Sequence, residues 1–277
     1  MASIDLVVTD LDGTFWDESL GIHPRTLEAV EELGRRGIEL MFATGRRPGT
    51  ARHGFQRLAD SGIDLWRPTI LLNGTLGIDY PTDHRFHVAA FDPEAAGWVV
   101  EAFAACGHVP CAYTSDGKLH IADTVTTGAR HRSQFGHDTI LGAAEDIGDG
   151  GEVVGYSVIG VELDGLEPLA PTLRELGILV DHYLDPVFGG WSVMAQPPGV
   201  SKWTGVLAHL DRSAISGPGG GQPRVLAVGD GGNDAEMLRH ADVGVAIQPG
   251  DPALLQVADA VIEGPGPTNW DQILDLL

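Results

Sequence analysis

Hydrophobic and polar positions along this chain fall into three stretches of different rhythm. Over the first 75 residues, short continuous apolar runs alternate with segments of helical period. Residues 4–9 read as a buried strand. Residues 24–36 read as a helix opened by Pro24, with Leu27, Val30 and Leu33 on one face and Gly37 as its stop. Ile38–Ala43 is a second strand, Pro48 starts a helix through about Ala59, and Thr69–Leu72 is a third strand. Such alternation predicts right-handed crossovers and a parallel sheet with helices on both faces.

Between residues 78 and 195 the rhythm changes. Helical stretches near 93–106 and 166–176 mix with Val153–Leu163, Ile178–Leu184 and Trp191–Ala195, whose alternation suits strands with one half-covered face. This predicts an α+β domain inserted into the first. Strand–helix alternation then returns: a helix over 201–210, a strand over Arg224–Val228, a helix over Asn233–His240, strands at Val243–Ala246 and Ala260–Ile262, and a closing helix over 269–276. Ser213–Pro223, rich in glycine and proline, reads as a surface loop.

Polar residues stand where the apolar runs stop. The first run ends at Asp10-Leu11-Asp12-Gly13-Thr14, the second at Thr44-Gly45-Arg46, the third at Asn73-Gly74. In a parallel sheet ligands bind beyond the carboxyl ends of the strands, so Asp10, Thr44 and Asn73 are expected on one rim. Side chains two apart on an extended segment point the same way, and two crowded acids repel unless a cation or a shared proton compensates. A second acidic cluster, Gly229-Asp230-Gly231-Gly232-Asn233-Asp234, follows another apolar run and opens a helix. Solvated turn acids and an ordinary helix cap would produce either cluster alone. The spacing of a calcium loop, a Walker lysine loop, an H-E-x-x-H helix and a Rossmann glycine triad are all absent.

Composition narrows the classes. The 277 residues accommodate two domains of ordinary size, and 43% apolar residues suffice for their cores. No apolar run reaches membrane-spanning length, and residues 1–9 do not read as a secretory signal. The formal charge of −22 argues against nucleic acid and anionic lipid as partners. Cys106 and Cys111 lack a disulfide or metal framework, so the expected setting is the reducing cytoplasm. Lysine occurs only at 118 and 202, against fifteen arginines, which makes each lysine informative.

Four clusters in order, Asp10-Leu11-Asp12-Gly13-Thr14, Ala43-Thr44-Gly45-Arg46, Ser201-Lys202 and Gly229-Asp230-Gly231-Gly232-Asn233-Asp234, resemble the motifs of the haloacid dehalogenase superfamily. The phrases around Thr44 and Asp230 and the long insert look like its Cof-like branch with a C2-type cap. The resemblance implies an α/β fold, a Rossmann-like parallel sheet core over 1–77 and 196–277, and an inserted α+β cap over 78–195 that governs substrate choice. It implies a Mg²⁺-dependent phosphatase acting on a small phosphorylated metabolite through an aspartyl phosphate. Asp10 would be the nucleophile and Asp12 the acid/base. Thr44, Gly45, Arg46, Lys202 and Asn233 would hold the phosphoryl group, with Lys202 offsetting charge. Asp10, Asp12 through its backbone carbonyl, Asp230 and Asp234 would form the metal shell. Hard oxygen donors suit Mg²⁺, and a carboxylate nucleophile divides hydrolysis into two steps.

The same motifs serve phosphotransferases and phosphomutases, and a ligand-sensing module without catalysis is the rival from another class. Phe15, Trp16 and Trp203 depart from the family pattern and are expected to pack locally. Asn73 either lines the phosphate pocket or makes a turn. Tyr113, Tyr156, Tyr183 and Trp191 are expected to pack, and Lys118 to sit in a solvated turn. The sequence carries no signal for oligomeric state or for the leaving group.

Overall fold

A computed structural model describes residues 3–124, 138–148, 151–162, 166, 168–184 and 189–277. The elements begin with β1 (Leu6–Thr9), α1 (Pro24–Arg36), β2 (Glu39–Ala43), α2 (Pro48–Asp60), β3 (Pro68–Leu71), β4 (Leu76–Asp79) and β5 (His84–Val88). There follow α3 (Pro93–Ala105), β6 (Cys111–Thr114), β7 (Leu119–Ala122), β8 (Thr139–Gly142), β9 (Val153–Val161), α4 (Leu169–Glu175), β10 (Leu179–Leu184) and β11 (Trp191–Gln196). The chain closes with α5 (Lys202–Arg212), β12 (Val225–Gly229), α6 (Ala235–His240), β13 (Val243–Gln248), β14 (Ala260–Glu263) and α7 (Gly266–Asn269). Two compact units result: Met1–Arg46 with His53–His87 and Ser201–Leu277, and Val88–Val200 with Arg47–Arg52.

The first unit is built on an eight-stranded sheet ordered β14-β13-β12-β1-β2-β3-β4-β5. From β14 to β3 all pairs are parallel, and β4 returns antiparallel to β3. Central β1 is buried along its whole length, which explains an uninterrupted Leu-Val-Val run where an edge strand would alternate. Leu6 and Val8 pack with Met41, Ile70, Val206 and Ala227 on one face. On the other side of the chain trace, Phe15 meets Phe42 and Trp270 edge-on, and the Trp270 indole donates to Thr9 Oγ1 at 3.0 Å.

Differences from the sequence expectations have local causes. In α1 the buried stripe is Thr26, Ala29 and Leu33, while Leu27 and Val30 are half-buried. Thr26 Oγ1 bonds Pro267 O, turning that edge of the helix toward the closing segment. The segment expected as a helix over 269–276 is a 3₁₀ stretch, Trp270–Leu276, entered from α7 through non-helical Asn269 at φ −128°. A 3₁₀ turn, Gly232–Asp234, likewise precedes α6 within the expected 233–240 helix. Strands β4 and β5 carry no clear alternation in sequence and were not expected.

The second unit has a six-stranded sheet ordered β10-β11-β9-β6-β7-β8, antiparallel except for β7 with β8. Helices α3 and α4 contribute Val99, Phe103, Leu169 and Leu173 to a core with Tyr156, Val158 and Val193. Helices and strands are mixed in this unit, whose main segment runs from Val88 to Val200. The end of the expected run at Leu163 and the Tyr183 side chain lie outside the described residues. No helix among the described residues is long and apolar enough to cross a membrane.

One buried group ties stability to pH. His209, on α5, is 5% exposed, lies against the Phe86 ring, and both its ring nitrogens lack a hydrogen-bond partner among the described residues. Burial pulls its pKa below the ordinary value, the Arg212 charge adds to this, and Asp79 opposes it. A native pKa below the unfolded one means that the unfolded chain binds the proton first as pH falls. Stability is therefore full above about pH 6.5 and declines as pH drops toward the native value. Urea midpoints at pH 7 and pH 5 should fall for the wild-type chain and fall less for His209→Leu. An equal drop in both would assign the decline to other groups.

Candidate active site

Strands β12, β1, β2 and β3 are neighbours and parallel, so their carboxyl ends share a rim. Asp10 follows β1, Thr44 follows β2, the turn Leu72–Gly74 follows β3, and Asp230 follows β12. The ladder continues one residue into the site: Asp10 N donates to Val228 O and Thr44 N to Ile70 O, both at 2.9 Å. These bonds hold the polar residues on the sheet while their side chains leave it.

Lys202 reaches the rim from the first residue of α5. Its helix starts with a capping box, in which Ser201 Oγ accepts from Thr204 N and Ser201 N donates to Thr204 Oγ1. The side chain is fully buried, and its ammonium donates to Asp10 Oδ1 and to Asp234 Oδ1, each at 2.6 Å. Burial pulls the lysine pKa down, but the Asp10 and Asp234 charges outweigh it and hold the ammonium protonated. Burial pushes the Asp10 carboxyl well above the usual range; Lys202 opposes this, and the Asp234 and Asp230 charges reinforce it.

Asp234 spends its second oxygen on the loop, accepting from Asp230 N at 3.1 Å and Gly231 N at 3.0 Å. Asp230 accepts from Thr14 Oγ1 at 2.5 Å. Burial raises its pKa, the Thr14 bond lowers it, and Asp234 raises it, with a net rise. The loop from β1 can approach this closely because residue 13 is glycine. Gly13 has φ +79°, and a β-carbon there would stand 2.6 Å from Asp230 Oδ2.

Ligand oxygens of Asp10, Asp230 and Asp234 all lie within 4.8 Å of one another. Three carboxylates around one ammonium leave unbalanced negative charge in a buried place, and all the donors are hard oxygens. That donor set fits a divalent cation of the Mg²⁺ type.

Asp12 faces elsewhere. Its carboxylate accepts Arg46 Nε at 2.7 Å on Oδ2 and Arg46 Nη2 at 2.6 Å on Oδ1, a two-pronged charge-assisted pair. The Trp16 indole donates to Oδ1 at 3.0 Å, and the Arg46 guanidinium lies 5.1 Å above the Trp16 ring. Burial raises the Asp12 pKa, but the Arg46 bonds and charge and then the Trp16 bond outweigh it and leave it below the usual range. The Asp12 carboxylate is thus not among the three clustered acids. Arg46 is held by Asp12.

Thr44 is buried, and its hydroxyl oxygen accepts from Arg46 N at 3.1 Å, leaving its own proton to donate. Asn233 is exposed and donates to Asn73 Oδ1 at 2.8 Å. Asp10, Lys202, Asp230 and Asp234 are therefore brought into one cluster, with Thr44, Gly45, Asp12, Arg46 and Asn233 along the same rim. The sequence pattern gives Thr14 no place in the site and leads to the expectation that Trp16 only packs. Thr14 sits within the first motif, whereas nothing local marks Trp16, which is fully buried, as a partner of Asp12. Phe15 packs as expected, and Trp203 stacks on His240.

A profile of haloacid dehalogenase-like hydrolases matches residues 7–265. A phosphoglycolate phosphatase of Methanopyrus kandleri is 25% identical over 93% of this chain and 90% of its own length. The 5-amino-6-(5-phospho-D-ribitylamino)uracil phosphatase of Bacillus subtilis is 25% identical over 92% of this chain and 90% of its own. In fold, a HAD/COF-like hydrolase from Plasmodium vivax superposes with a TM-score of 0.78 at 16% identity, covering 100% of this chain and 97% of that one.

The buried pairing makes a direct stability prediction. Lys202→Met leaves Asp10 and Asp234 buried without their cation, a loss of roughly 3–5 kcal/mol for a broken buried pair. Urea denaturation in metal-free buffer should show this. A loss under about 1 kcal/mol would contradict the pairing.

Proposed function

Because this chain belongs to the haloacid dehalogenase-like hydrolases, we propose that the rim hydrolyses a phosphoric monoester of a small metabolite through an aspartyl phosphate on Asp10. The observation that carries this reading is the Lys202 ammonium bonded at 2.6 Å to Asp10, with Asp230 and Asp234 clustered around them. The two full-length relatives, named as phosphatases of small phosphorylated molecules, support the substrate class.

Asp10 and Asp230 would hold a Mg²⁺ ion together with the Asp12 backbone carbonyl, and Asp234, already committed to two amides and Lys202, would support them from behind. Bound there, the ion would neutralise charge on the phosphoryl oxygens. Lys202 orients Asp10 by bonding one of its oxygens and opposes the rise that burial imposes on its carboxyl, and a cation bound beside it would favour the ionised form further. The Asp10 carboxylate attacks phosphorus as the bond to the leaving oxygen breaks, and the leaving oxygen takes a proton from Asp12. Asp12 then accepts a proton from water as that water attacks the acyl phosphate, and inorganic phosphate leaves.

The Thr44 hydroxyl, the Gly45 amide and the Asn233 amide are assigned to the phosphoryl oxygens. Arg46 links binding to proton transfer. While it grips Asp12, that carboxyl is held ionised; a phosphoryl group that draws on Arg46 loosens the grip and lets Asp12 carry the proton. The inserted second unit is assigned the choice of leaving group.

Phosphate release from a panel of metabolite phosphates with Mg²⁺ and no acceptor tests the reading and separates hydrolysis from transfer to a second hydroxyl. Asp10→Asn should abolish release while the thermal midpoint is kept; retained turnover would refute the nucleophile. Asp12→Ala should slow alkyl phosphates by about 10²–10⁴-fold, as expected for lost general acid catalysis, and p-nitrophenyl phosphate far less. An equal loss on both ester types would count against Asp12 as the proton donor.

A further inference from the structure

Three consecutive residues after β3 have left-handed backbone: Leu72 at φ 48°, Asn73 at φ 53° and Gly74 at φ 118°. Outside glycine this conformation costs of order 1–2 kcal/mol per residue, and such strain persists only where the surroundings over-determine it. Here the surroundings are three of the four polar clusters. Asn73 N donates to Thr44 O at 3.1 Å and Leu72 N to Arg46 O at 3.0 Å, fastening the second cluster. Asn73 Oδ1 also lies above Gly45, 2.9 Å from where a β-carbon would stand.

The third cluster is held by close backbone contact. A β-carbon on Gly74 would stand 2.0 Å from Ser201 O and 3.1 Å from Lys202 N, so only glycine lets the turn lie against the start of α5. On its far side Gly74 O is bonded to His87 Nε2 at 3.0 Å. The fourth cluster is reached by a side chain: Asn233 Nδ2 donates to Asn73 Oδ1 at 2.8 Å. An amide nitrogen carries two protons, so this bond fixes the plane of Asn233 and leaves one N–H to point elsewhere.

We infer that Asn73 is a positioning residue of the site: its side-chain oxygen aims the Asn233 amide at the phosphoryl group, while its backbone ties that aim to Thr44 and Lys202. Asn73 does not itself touch the reacting atoms. Asparagine suits the place because it tolerates a left-handed backbone better than other residues with side chains and offers an acceptor at short reach. The inference rests on the phosphatase reading above and adds to it a residue outside the four motifs.

Asn73→Gly tests it, since glycine keeps the backbone free to turn and removes only the amide. Its kcat/KM for phosphate release should fall by about 10–100-fold, the usual cost of losing an outer positioning partner. Competitive inhibition by inorganic phosphate should weaken in parallel, an effect that a merely structural role would not produce. Asn233→Ala, at an exposed position, should reproduce both losses, and Asn73→Gly/Asn233→Ala should be no worse than the poorer single variant. Additive losses in the double variant would overturn the inference. So would a lowered thermal midpoint in Asn73→Gly with wild-type kcat/KM and phosphate inhibition. If the wild-type chain shows no Asp10-dependent release at all, the phosphatase reading falls, and this inference with it.

Discussion

Within the first unit, a single buried ammonium holds two carboxylates that arrive from opposite halves of the chain. Lys202 bonds Asp10 and Asp234 at equal distance, and neither its side chain nor that of Asp234 has exposed surface. Removing these charges from water is costly, and each is tolerated only while its partners stay in place. The constraint is therefore mutual. β1 must deliver Asp10, α5 must start where its first side chain reaches the rim, and the loop after β12 must turn Asp234 inward. The remaining acid of the cluster, Asp230, is steadied by Thr14 and crowded by Asp234, and the three carboxylates could together hold a metal ion.

The rest of the rim serves to keep that arrangement stiff. A parallel sheet buried on both faces leaves the ends of β12, β1, β2 and β3 little freedom, and backbone bonds from Asp10 and Thr44 extend the ladder into the site. The left-handed turn at 72–74 then laces the loops together from the side. Asp12 and Arg46 form a separate electrostatic unit backed by Trp16. Keeping these two charge systems apart gives neighbouring aspartates opposite surroundings: one carboxyl is pushed up by burial and like charges, the other pulled down by a guanidinium. Two acids two residues apart can then do different work.

Much of this could be read from pattern. The span expected for α1, 24–36, is the one observed, because proline at its start and glycine at its end are strong local signals. The parallel strands were legible as unbroken apolar runs, and the polar clusters as the places where those runs stop. The misreadings have physical causes as well. The stripe of α1 is centred on Thr26 and Ala29, not Leu27 and Val30, because a threonine hydroxyl found a carbonyl in the closing segment. β4 and β5 pair with the sheet through backbone, which leaves little mark on side-chain rhythm.

Local pattern alone settled which residue types stand at which strand ends, the alternation that makes the sheet parallel, and the acidic and basic side chains available to the rim. It could not settle which of those side chains meet. Whether Arg46 faces phosphate or Asp12, whether Asn73 merely turns the chain or grips Asn233, and whether Trp16 packs or donates all depend on residues brought together by sheet order and rotamer. Such contacts join positions 34 and 160 residues apart. No short window of sequence contains both partners of the Arg46 or the Asn233 contact, and the Trp16 bond, though its partners stand only four residues apart, turns on the rotamers that the fold imposes.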